Sequence, residues 1–310
     1  MTLNRNDTNR AAEYDMFFRR CLPFAVRSAR ETEKIFGDPE LFAFEERDAD
    51  SRLIGLAAGR DNTVYLLCVD ERHRGQGIGG RLLAAAEDHT RASGYDRIVI
   101  GAGRNYLTPG VPTSVQPYSE KLGCEKLYPE LNDGAVRFFE KRGYVHGWNG
   151  CNCFDMRSDL DAADLTYSVG DTVGGILYRW AGPDDIGGIV ECTDDAFDKF
   201  TVYYRDPKRY AADSEERVLI ALDGDTVVGT LIVSNGSEEA GTGSVGCTTV
   251  RHSHQGRHIG VNMVIAGNRY LRDIGLKRGF LGYTYSGLDR MYGYAGYYIC
   301  CYYFMGEKKL

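Results

Sequence analysis

The chain of 310 residues contains the stretch VDERHRGQGIG at positions 69–79 and a second version of it, VRHSHQGRHIG, at positions 250–260. The two stretches lie 181 residues apart, and the same offset relates Gly94 to Gly275. An internal repeat of this length predicts two copies of one domain rather than a solenoid of short repeats. Whatever the stretch binds, the chain therefore has two versions of the site.

Each stretch lies between a strand pattern and a helix pattern. The preceding runs, at 63–69 and 245–250, are rich in residues that favour strands. The following segments space their apolar residues as an amphipathic helix does. A helix that begins directly after a glycine-containing loop presents unpaired N–H groups and the positive end of its dipole, so the pattern predicts an anion site. The loop is neither a Walker sequence nor a GxGxxG fingerprint.

The arrangement resembles the acetyl-CoA loop of the GCN5-related N-acetyltransferases, an Arg/Gln-x-x-Gly-x-Gly/Ala pattern after a strand that ends in Val. The first copy matches the pattern fully, whereas the second has His258 in place of the middle glycine. The resemblance implies that backbone N–H groups bind the CoA pyrophosphate. The residues implied to bind acetyl-CoA are Leu67, Cys68, Val69, Arg74, Gly75, Gln76, Gly77, Ile78 and Gly79 in the first copy, and Thr248, Thr249, Val250, Gln255, Gly256, Arg257, His258, Ile259 and Gly260 in the second.

A second signature of that family also occurs twice, as AVRFFEKRGY at 135–144 and LDRMYGYAGY at 288–297. Four residues before the glycine, the family commonly places a tyrosine that protonates the departing CoA thiolate. The second copy has Tyr292 at this position, whereas the first has Phe139, which has no proton to give. The resemblance therefore implies that the second domain catalyses and that the first mainly binds.

A general base is also expected, because an amine must lose its proton before it attacks a thioester. Asp289 lies one helical turn before Tyr292 and is the leading candidate, although a carboxylate at a helix start is at least as common for structural reasons. His252 and His254 are alternatives, and Asp70 has a comparable place in the first domain.

Tyrosine is concentrated near the end of the chain, with eight tyrosines between 283 and 303. An aromatic face with a hydroxyl group suits a sugar, and Tyr285 and Tyr297 are the predicted substrate contacts. With the PGVP insert at 109–112, this ending is similar to bacterial glucosamine/glucosaminide N-acetyltransferases, which implies transfer of acetyl from acetyl-CoA to the amino group of an amino sugar. Three alternatives stay open: another small amine (an aminoglycoside, a thiol precursor or a polyamine), a protein or peptide, and a non-catalytic acetyl-CoA sensor.

The patterns predict an α/β (α+β) fold of two tandem domains, each a mixed, mostly antiparallel sheet flanked by helices. The first domain is expected at 1–160 and the second at 165–310, with a polar linker at 157–171 and a last strand that runs to about 306. The first domain has 28 more residues between its two motifs than the second, and the segment 104–132 is typical of a long functional loop.

Composition narrows the setting. The net charge of −7 argues against a nucleic-acid partner and mildly favours a cationic substrate. No signal peptide and no apolar run of about 18 residues is present, so a cytoplasmic protein without membrane contact is expected, as a monomer or homodimer. The nine cysteines are scattered without a zinc pattern, which predicts reduced, mostly buried thiols and no metal. No cysteine lies in the two loops, so direct transfer without an acyl-enzyme is predicted.

Overall fold

The computed structural model describes residues 8–25, 27–101, 107–116, 127–128, 130–131, 133–147, 151–285 and 287–310. The chain divides into two compact units. The first unit consists of Met1–Phe154 together with Cys301–Leu310, and the second unit of Asp155–Cys300. The end of the chain therefore belongs to the first unit, whereas the sequence placed it in the second domain at 165–310. Most of the predicted long loop at 104–132 lies outside the described residues.

The first unit is a mixed sheet with helices on it, as predicted. Its helices are α1 (Thr8–Cys21), α2 (Ala29–Phe36), α3 (Ile78–Ala92) and α4 (Gly134–Glu140), and its strands are β1 (Phe42–Arg47), β2 (Leu53–Arg60), β3 (Thr63–Val69), β4 (Arg97–Ile100), β5 (Val111–Thr113), β6 (Val145–His146) and β15 (Gly306–Lys309). The six-stranded sheet has the order β1-β2-β3-β4-β15-β6. The pair β3–β4 is parallel, and the other pairs are antiparallel.

The last strand of the chain lies in the middle of this first sheet. Lys308 of β15 pairs with Ile98 of β4, and Gly306 pairs with His146 of β6, both antiparallel. Sequence periodicity predicted one continuous strand to about 306, because it detects an extended segment but not the partner of that segment. The structure instead has β14 (Tyr297–Phe304) followed by a separate β15.

The second unit repeats the plan. Its helices are α5 (Ile186–Phe197), α6 (Thr201–Tyr204), α7 (Ile259–Asp273) and α8 (Asp289–Gly293), and its strands are β7 (Cys153–Asp159), β8 (Thr172–Val173), β9 (Ile176–Trp180), β10 (Glu216–Asp223), β11 (Thr226–Ser234), β12 (Thr242–Val250), β13 (Arg278–Tyr285) and β14. They are ordered β14-β7-β13-β12-β11-β10-β9-β8. Strands β7 and β14 both run across the boundary between the units. The linker predicted from 157 therefore begins inside a strand.

Buried side chains hold the helices on the sheets. In the first unit, Phe18 of α1 and Ile35 of α2 enter one apolar cluster, while Leu83 and Ala86 of α3 enter another. In the second unit, Met263 of α7 is fully buried. Among the described residues, no helix is long and apolar enough to cross a membrane.

The two parallel strands of each unit pair over only a short stretch. Strands β3 and β4 pair at Thr63–Val99 and Val64–Ile100, and β12 and β13 pair from Thr242 to Ser244. Strand β3 continues to Val69 beyond its pairing with β4, and β12 continues to Val250 beyond its pairing with β13. We call the space beside this unpaired part of β3 or β12 the wedge of each unit, and β3 and β12 its wedge strands. The wedge positions the site, because each wedge lies beside the start of the following helix.

Candidate functional site

The two repeated loops have the same backbone conformation. Gly75 and Gly256 both have φ 78°, and Gly77 and His258 have φ 79° and 61°. Helices α3 and α7 begin at the next residue in each case. Histidine is among the residues that enter the left-handed region more readily than most, at a cost of about 1–2 kcal/mol. His258 therefore reproduces the turn that Gly77 makes.

The first residue of each loop ties the loop to the end of the preceding strand. Arg74 Nε donates to the Val69 carbonyl at 3.2 Å, and Gln255 Nε2 donates to the Val250 carbonyl at 3.1 Å. Both side chains supply one N–H to the same acceptor. This shared contact explains why Arg and Gln are equivalent at the first position of the motif.

The last glycine of the motif, Gly79 in the first loop and Gly260 in the second, faces the last helix of its unit. A Cβ on Gly79 would lie 3.5 Å from the Phe138 ring, and one on Gly260 would lie 3.1 Å from Met291 Sδ. The same Cβ would also lie 3.6 Å from a side-chain methyl group at the end of the preceding strand, that of Val69 in the first unit and that of Val250 in the second. Any side chain there would enter the space between the loop, the wedge strand and the last helix.

In the first unit the wedge opens into a cavity of about 540 Å³. Loop residues Arg74 and Gly77 line one part of it, and Cys21 and Leu22, at the end of α1, line another. Strand β3 contributes its residues from Val64 to Val69, which include the predicted Leu67 and Cys68. Phe139 faces the same space, so this cavity has an aromatic ring where the motif calls for a phenol.

In the second unit Tyr292 reaches the wedge strand. Its side chain is 5% exposed, and its hydroxyl oxygen lies 3.3 Å from the hydroxyl oxygen of Thr248. Strand β12 bulges at this point, because Cys247 and Thr248 together oppose the single residue Leu231. Cys247 has a left-handed backbone, with φ 51°, and its carbonyl accepts a hydrogen bond from the Tyr204 hydroxyl at 2.5 Å. The bulge turns Thr248 towards Tyr292.

Burial controls the ionisation of this cluster. Burial raises the pKa of Tyr292 to about 12, while the hydrogen bond with Thr248 acts in the opposite direction. Burial also raises the pKa of Cys247 to about 11 and raises the pKa of Tyr285, whose phenol lies close enough to interact with Cys247. At neutral pH these three groups are protonated and uncharged. The predicted substrate contact Tyr285 thus lies near the predicted acid.

Tyr297, the other predicted substrate contact, lies in the core. It is 5% exposed, and its hydroxyl donates to Asn268 Oδ1 at 3.0 Å. The corresponding Tyr144 of the first unit donates to Glu87 Oε1, also at 3.0 Å. Both tyrosines pack edge-on against the preceding aromatic position of their unit, Phe139 or Tyr292. Tyr297 therefore packs against the Tyr292 ring in the core, and its buried hydroxyl group does not fit the predicted role of a substrate contact.

The predicted bases have other partners. Asp289 is the first residue of α8, and its Oδ1 accepts the Gly287 N–H at 3.1 Å. The His254 ring lies 3.3 Å from Asp223 Oδ2. The His252 side chain is 64% exposed, and its backbone N–H donates to an aspartate of α5. The structure therefore brings Tyr292 to Thr248, and it places Asp289 in the turn that starts its helix.

Asp70, the weaker candidate in the first unit, accepts the Arg72 N–H at 3.1 Å. It also forms an ion pair with Arg20 at 3.3 Å, and its other carboxylate oxygen lies 3.5 Å from His73 Nδ1. These contacts place it at the start of the turn that leads into the loop. In the part of the chain that the structure describes, no three His, Cys, Asp or Glu side chains cluster as a metal site requires.

The surroundings of the two loops differ in charge. The guanidinium of Arg142 lies 3.8 Å above the Phe138 ring in the first unit, close to the start of α3, and it lines the cavity. The second unit has Ala295 at that position of the motif. In the second loop Arg257 lies 3.4 Å from Asp223. Arg142 was missed because it lies outside the loop motif, one residue before Gly143.

A separate cavity of about 450 Å³ adjoins the second loop. Arg257 and His258 line it together with Asn262 of α7. Tyr294, 63% exposed, also contributes to its wall. This cavity extends the second site outward from the loop, and nothing in the sequence motif pointed to it.

Comparison with known proteins identifies the family. The profile of the Acetyltransferase (GNAT) family matches the chain twice, at residues 10–107 and 177–294. The chain belongs to this family. Its two matched regions cover the loop-helix unit of each copy, and GNAT enzymes use acetyl-CoA as acetyl donor, so the protein is a GNAT-type acetyltransferase with tandem domains.

Several solved GNAT structures share the fold. One is described as a GCN5-related glucosamine N-acetyltransferase region in a fungal multi-domain GH3 β-N-acetylglucosaminidase, with 19% identity and a TM-score of 0.71 over 99% of this chain and 38% of that one. A GCN5-related N-acetyltransferase from Sphaerobacter thermophilus has 18% identity and a TM-score of 0.66, over 99% and 94%. A tandem GNAT protein from the clavulanic acid biosynthesis pathway has 15% identity and a TM-score of 0.68, over 100% and 97%.

These identities establish a shared fold. This GNAT chain spans little more than a third of the fungal protein. No curated protein sequence matches the chain.

Proposed function

We propose that the second unit transfers acetyl from acetyl-CoA directly to the primary amine of an amino sugar. The observation that carries the proposal is the contact between the Tyr292 and Thr248 hydroxyl groups at 3.3 Å, beside the bulge of the wedge strand. This contact puts a proton donor next to a strand that ends at the anion-binding loop. The first unit has Phe139 at the equivalent place, so we assign catalysis to the second unit.

The second loop fits the pyrophosphate of acetyl-CoA. Helix α7 is 15 residues long, and the N–H groups of its first residues, Ile259 and Gly260, have no partner within the helix. The left-handed His258 turns the loop so that these groups point outward. Gly260 keeps open the path from the loop to Thr248. The 450 Å³ cavity beside Arg257 and Tyr294 leaves room for the adenosine end.

Tyr292 stabilises the leaving thiolate by hydrogen bonding to its sulfur. Since burial raises the pKa of Tyr292 to about 12, the phenol carries its proton at neutral pH. An ordinary thiol has a pKa of about 8.5, so a free thiolate would not fully deprotonate so weak an acid. We infer that the phenol donates a hydrogen bond to the sulfur as charge develops there, and that the thiolate takes its proton finally from solvent.

No cysteine near this site is ready to form an acyl-enzyme. Burial raises the pKa of Cys247 to about 11, which leaves about one part in 10⁴ as thiolate at pH 7. Burial also raises the pKa of Cys192. Direct attack by the amine needs only that both reactants bind side by side.

The acceptor amine binds in its neutral form in this proposal. Asp289 already accepts the Gly287 N–H, so we assign it to the turn that begins α8. The amine then loses its proton to solvent before it enters. The replacement Asp289→Asn distinguishes a catalytic base from a residue of the turn, because loss of a base would lower the rate of transfer, whereas an asparagine can still accept the Gly287 N–H and leave the rate nearly unchanged.

Two observations support an amino sugar. The fungal structure that shares this fold is described as a glucosamine N-acetyltransferase region. Tyr285, partly buried near Cys247 and Tyr292, offers an aromatic face beside the acid. Another small amine would need a different set of contacts around the same acid, and the reaction itself would not change.

The deciding experiment follows CoA thiol release from acetyl-CoA with glucosamine, an aminoglycoside, a polyamine and no amine. We expect release with glucosamine, saturation in both substrates, and N-acetylglucosamine as the product by mass spectrometry. Faster release with another amine would move the proposal to that acceptor. If no amine stimulates release although acetyl-CoA binds, the protein is a sensor and the proposal is wrong.

A further inference from the structure

Two thiols meet in the cavity of the first unit. Cys21 is the last residue of α1, and Cys68 lies in β3, the wedge strand. Both line the 540 Å³ cavity, and Arg74 of the acetyl-CoA loop lines it too. Cys68 is buried, whereas Cys21 is partly exposed. A small molecule in the cavity can therefore reach Cys21 directly.

The two thiols interact with each other. Cys68 belongs to the apolar cluster of α1, α2 and the sheet, and Cys21 packs against that cluster. The interaction with the Cys68 side chain lowers the pKa of Cys21, as do the charges of Arg20 and Arg74, while burial acts in the opposite direction. The same interaction, followed by burial, raises the pKa of Cys68. The pair thus combines an accessible, more acidic thiol with a protected partner. Redox-active cysteines have this arrangement, in which one thiol is attacked first and its neighbour resolves the product.

Three other described cysteines, Cys151, Cys192 and Cys247, do not line this cavity. Burial raises the pKa of Cys192 and Cys247, so these thiols stay protonated. Cys151 is exposed and gives a useful control for simple accessibility. Cys21 and Cys68 combine cavity access, mutual contact and nearby arginines.

We propose that a hydroperoxide entering this cavity oxidises Cys21 and Cys68 to a disulfide, and that the bond lowers acetyl-CoA binding by the first unit. The Cys21 thiolate attacks one peroxide oxygen and becomes a sulfenic acid, with loss of water from hydrogen peroxide after protonation. The Cys68 thiol then attacks that sulfur, forms the S–S bond and releases a second water. Two thiols and one peroxide give one disulfide and two waters.

The bond would change the cavity because both sulfur atoms belong to its wall. A disulfide requires the sulfur atoms to approach to about 2.05 Å, closer than any hydrogen-bonded thiol pair. Cys21 ends its helix and is followed by Leu22 and Phe24, which also line the cavity. Drawing Cys21 towards β3 therefore moves this segment inward. The space beside Leu67 and Cys68, where the acyl end of acetyl-CoA is predicted to lie, becomes narrower.

This inference goes beyond the proposed function, because it concerns the first unit and does not depend on the acceptor amine. The 310-residue chain is reduced, freed of reductant and treated with a small molar excess of hydrogen peroxide. Peptide mass spectrometry then identifies cross-linked cysteines, and calorimetric titration measures acetyl-CoA binding before and after oxidation. We expect a Cys21–Cys68 peptide, about a tenfold weaker binding at one class of site, and recovery of both with dithiothreitol.

Three variants make the result specific. Cys151→Ser should behave as the parent protein does. Cys21→Ser and Cys68→Ala should form no cross-link, and their acetyl-CoA binding should be insensitive to peroxide. The proposal is overturned if Cys21 oxidises to a sulfinic acid while Cys68 stays reduced. It is equally overturned if the disulfide forms and acetyl-CoA binding does not change.

Discussion

The two units of this GNAT protein share a loop and differ in what lies behind it. Both loops have a left-handed residue before the helix, and both are tied back to the strand by Arg74 or Gln255. Behind the first loop lie a large cavity and Phe139, and behind the second lie a strand bulge and Tyr292. The comparison teaches that the conformation of the loop and the residue behind it can vary independently in this fold. Both copies keep the loop, and only the second keeps a phenol behind it.

The largest effect is expected from the last glycine of the motif, which is Gly260 in the second loop and Gly79 in the first. Gly260→Asp should lower turnover by at least about 10³-fold, because a carboxylate between the loop and Thr248 opposes a charged ligand and fills its path. The matched change Gly79→Asp places the same group beside Phe138 in the first unit and should leave most turnover intact. Steady-state rates with saturating amine measure both effects.

Thermal unfolding of both variants shows whether the chain still folds. Gly260 lies at the second position of α7 with an ordinary helical backbone, so an aspartate there is compatible with the helix. Loss of turnover in Gly79→Asp with normal rates in Gly260→Asp would reverse the assignment of the working site.

The next comparison exchanges the aromatic residues. Tyr292→Phe keeps the ring and removes the proton donor, so the rate of transfer should fall about 10²–10⁴-fold while acetyl-CoA affinity changes little. Phe139→Tyr should not raise turnover, because the first unit lacks the Thr248 bulge that receives the phenol. Single-turnover kinetics separate the transfer step from product release. A near-normal rate in Tyr292→Phe would show that the transfer step does not need a hydrogen bond from Tyr292 to the sulfur.

The smallest effect concerns the left-handed residue itself. Gly77→His should lower the stability of the first loop by about 1–2 kcal/mol, because a side chain is strained at φ 79°. His258→Gly should raise the stability of the second loop by less than about 1 kcal/mol, since glycine loses more chain entropy on folding. Hydrogen exchange at the first turns of α3 and α7 reports each local stability. Stability changes of equal size and opposite sign in the two variants would show that the extra conformational entropy of glycine in the unfolded chain makes no measurable contribution.

Sequence patterns predicted the tandem fold, because each strand, loop and helix unit is encoded by neighbouring residues, and the family comparison confirms it. The left-handed backbone of His258 and the contact between Tyr292 and Thr248 were not predicted. The burial of Tyr297 was not predictable, because motif spacing locates a residue on a strand but does not show which face the core covers. Tyr297 begins strand β14, and the acceptor of its hydroxyl hydrogen bond, Asn268, lies on helix α7.

Long-range partners account for the remaining differences. The thiol pair joins α1 to β3, two elements whose contact no local pattern encodes. Arg142 reaches the first cavity only because α4 packs beside α3. Periodicity likewise found an extended segment to about 306 but predicted no pairing partner for it, and Gly306–Lys309 pairs with β4 and β6 of the first unit. Such contacts form only in the tertiary structure, and the periodicity of a single sequence does not predict them.

The position of β15 has a consequence for synthesis of the protein. The first 154 residues are synthesised before the second unit. The strand that pairs with both β4 and β6, Gly306–Lys309, is synthesised only after the second unit. The nascent first unit therefore has two open strand edges, which are sites of mispairing, until Gly306–Lys309 have been synthesised. A truncation just before Gly306 would thus damage the sheet of the first unit, which is made first, and leave the strands of the second unit present.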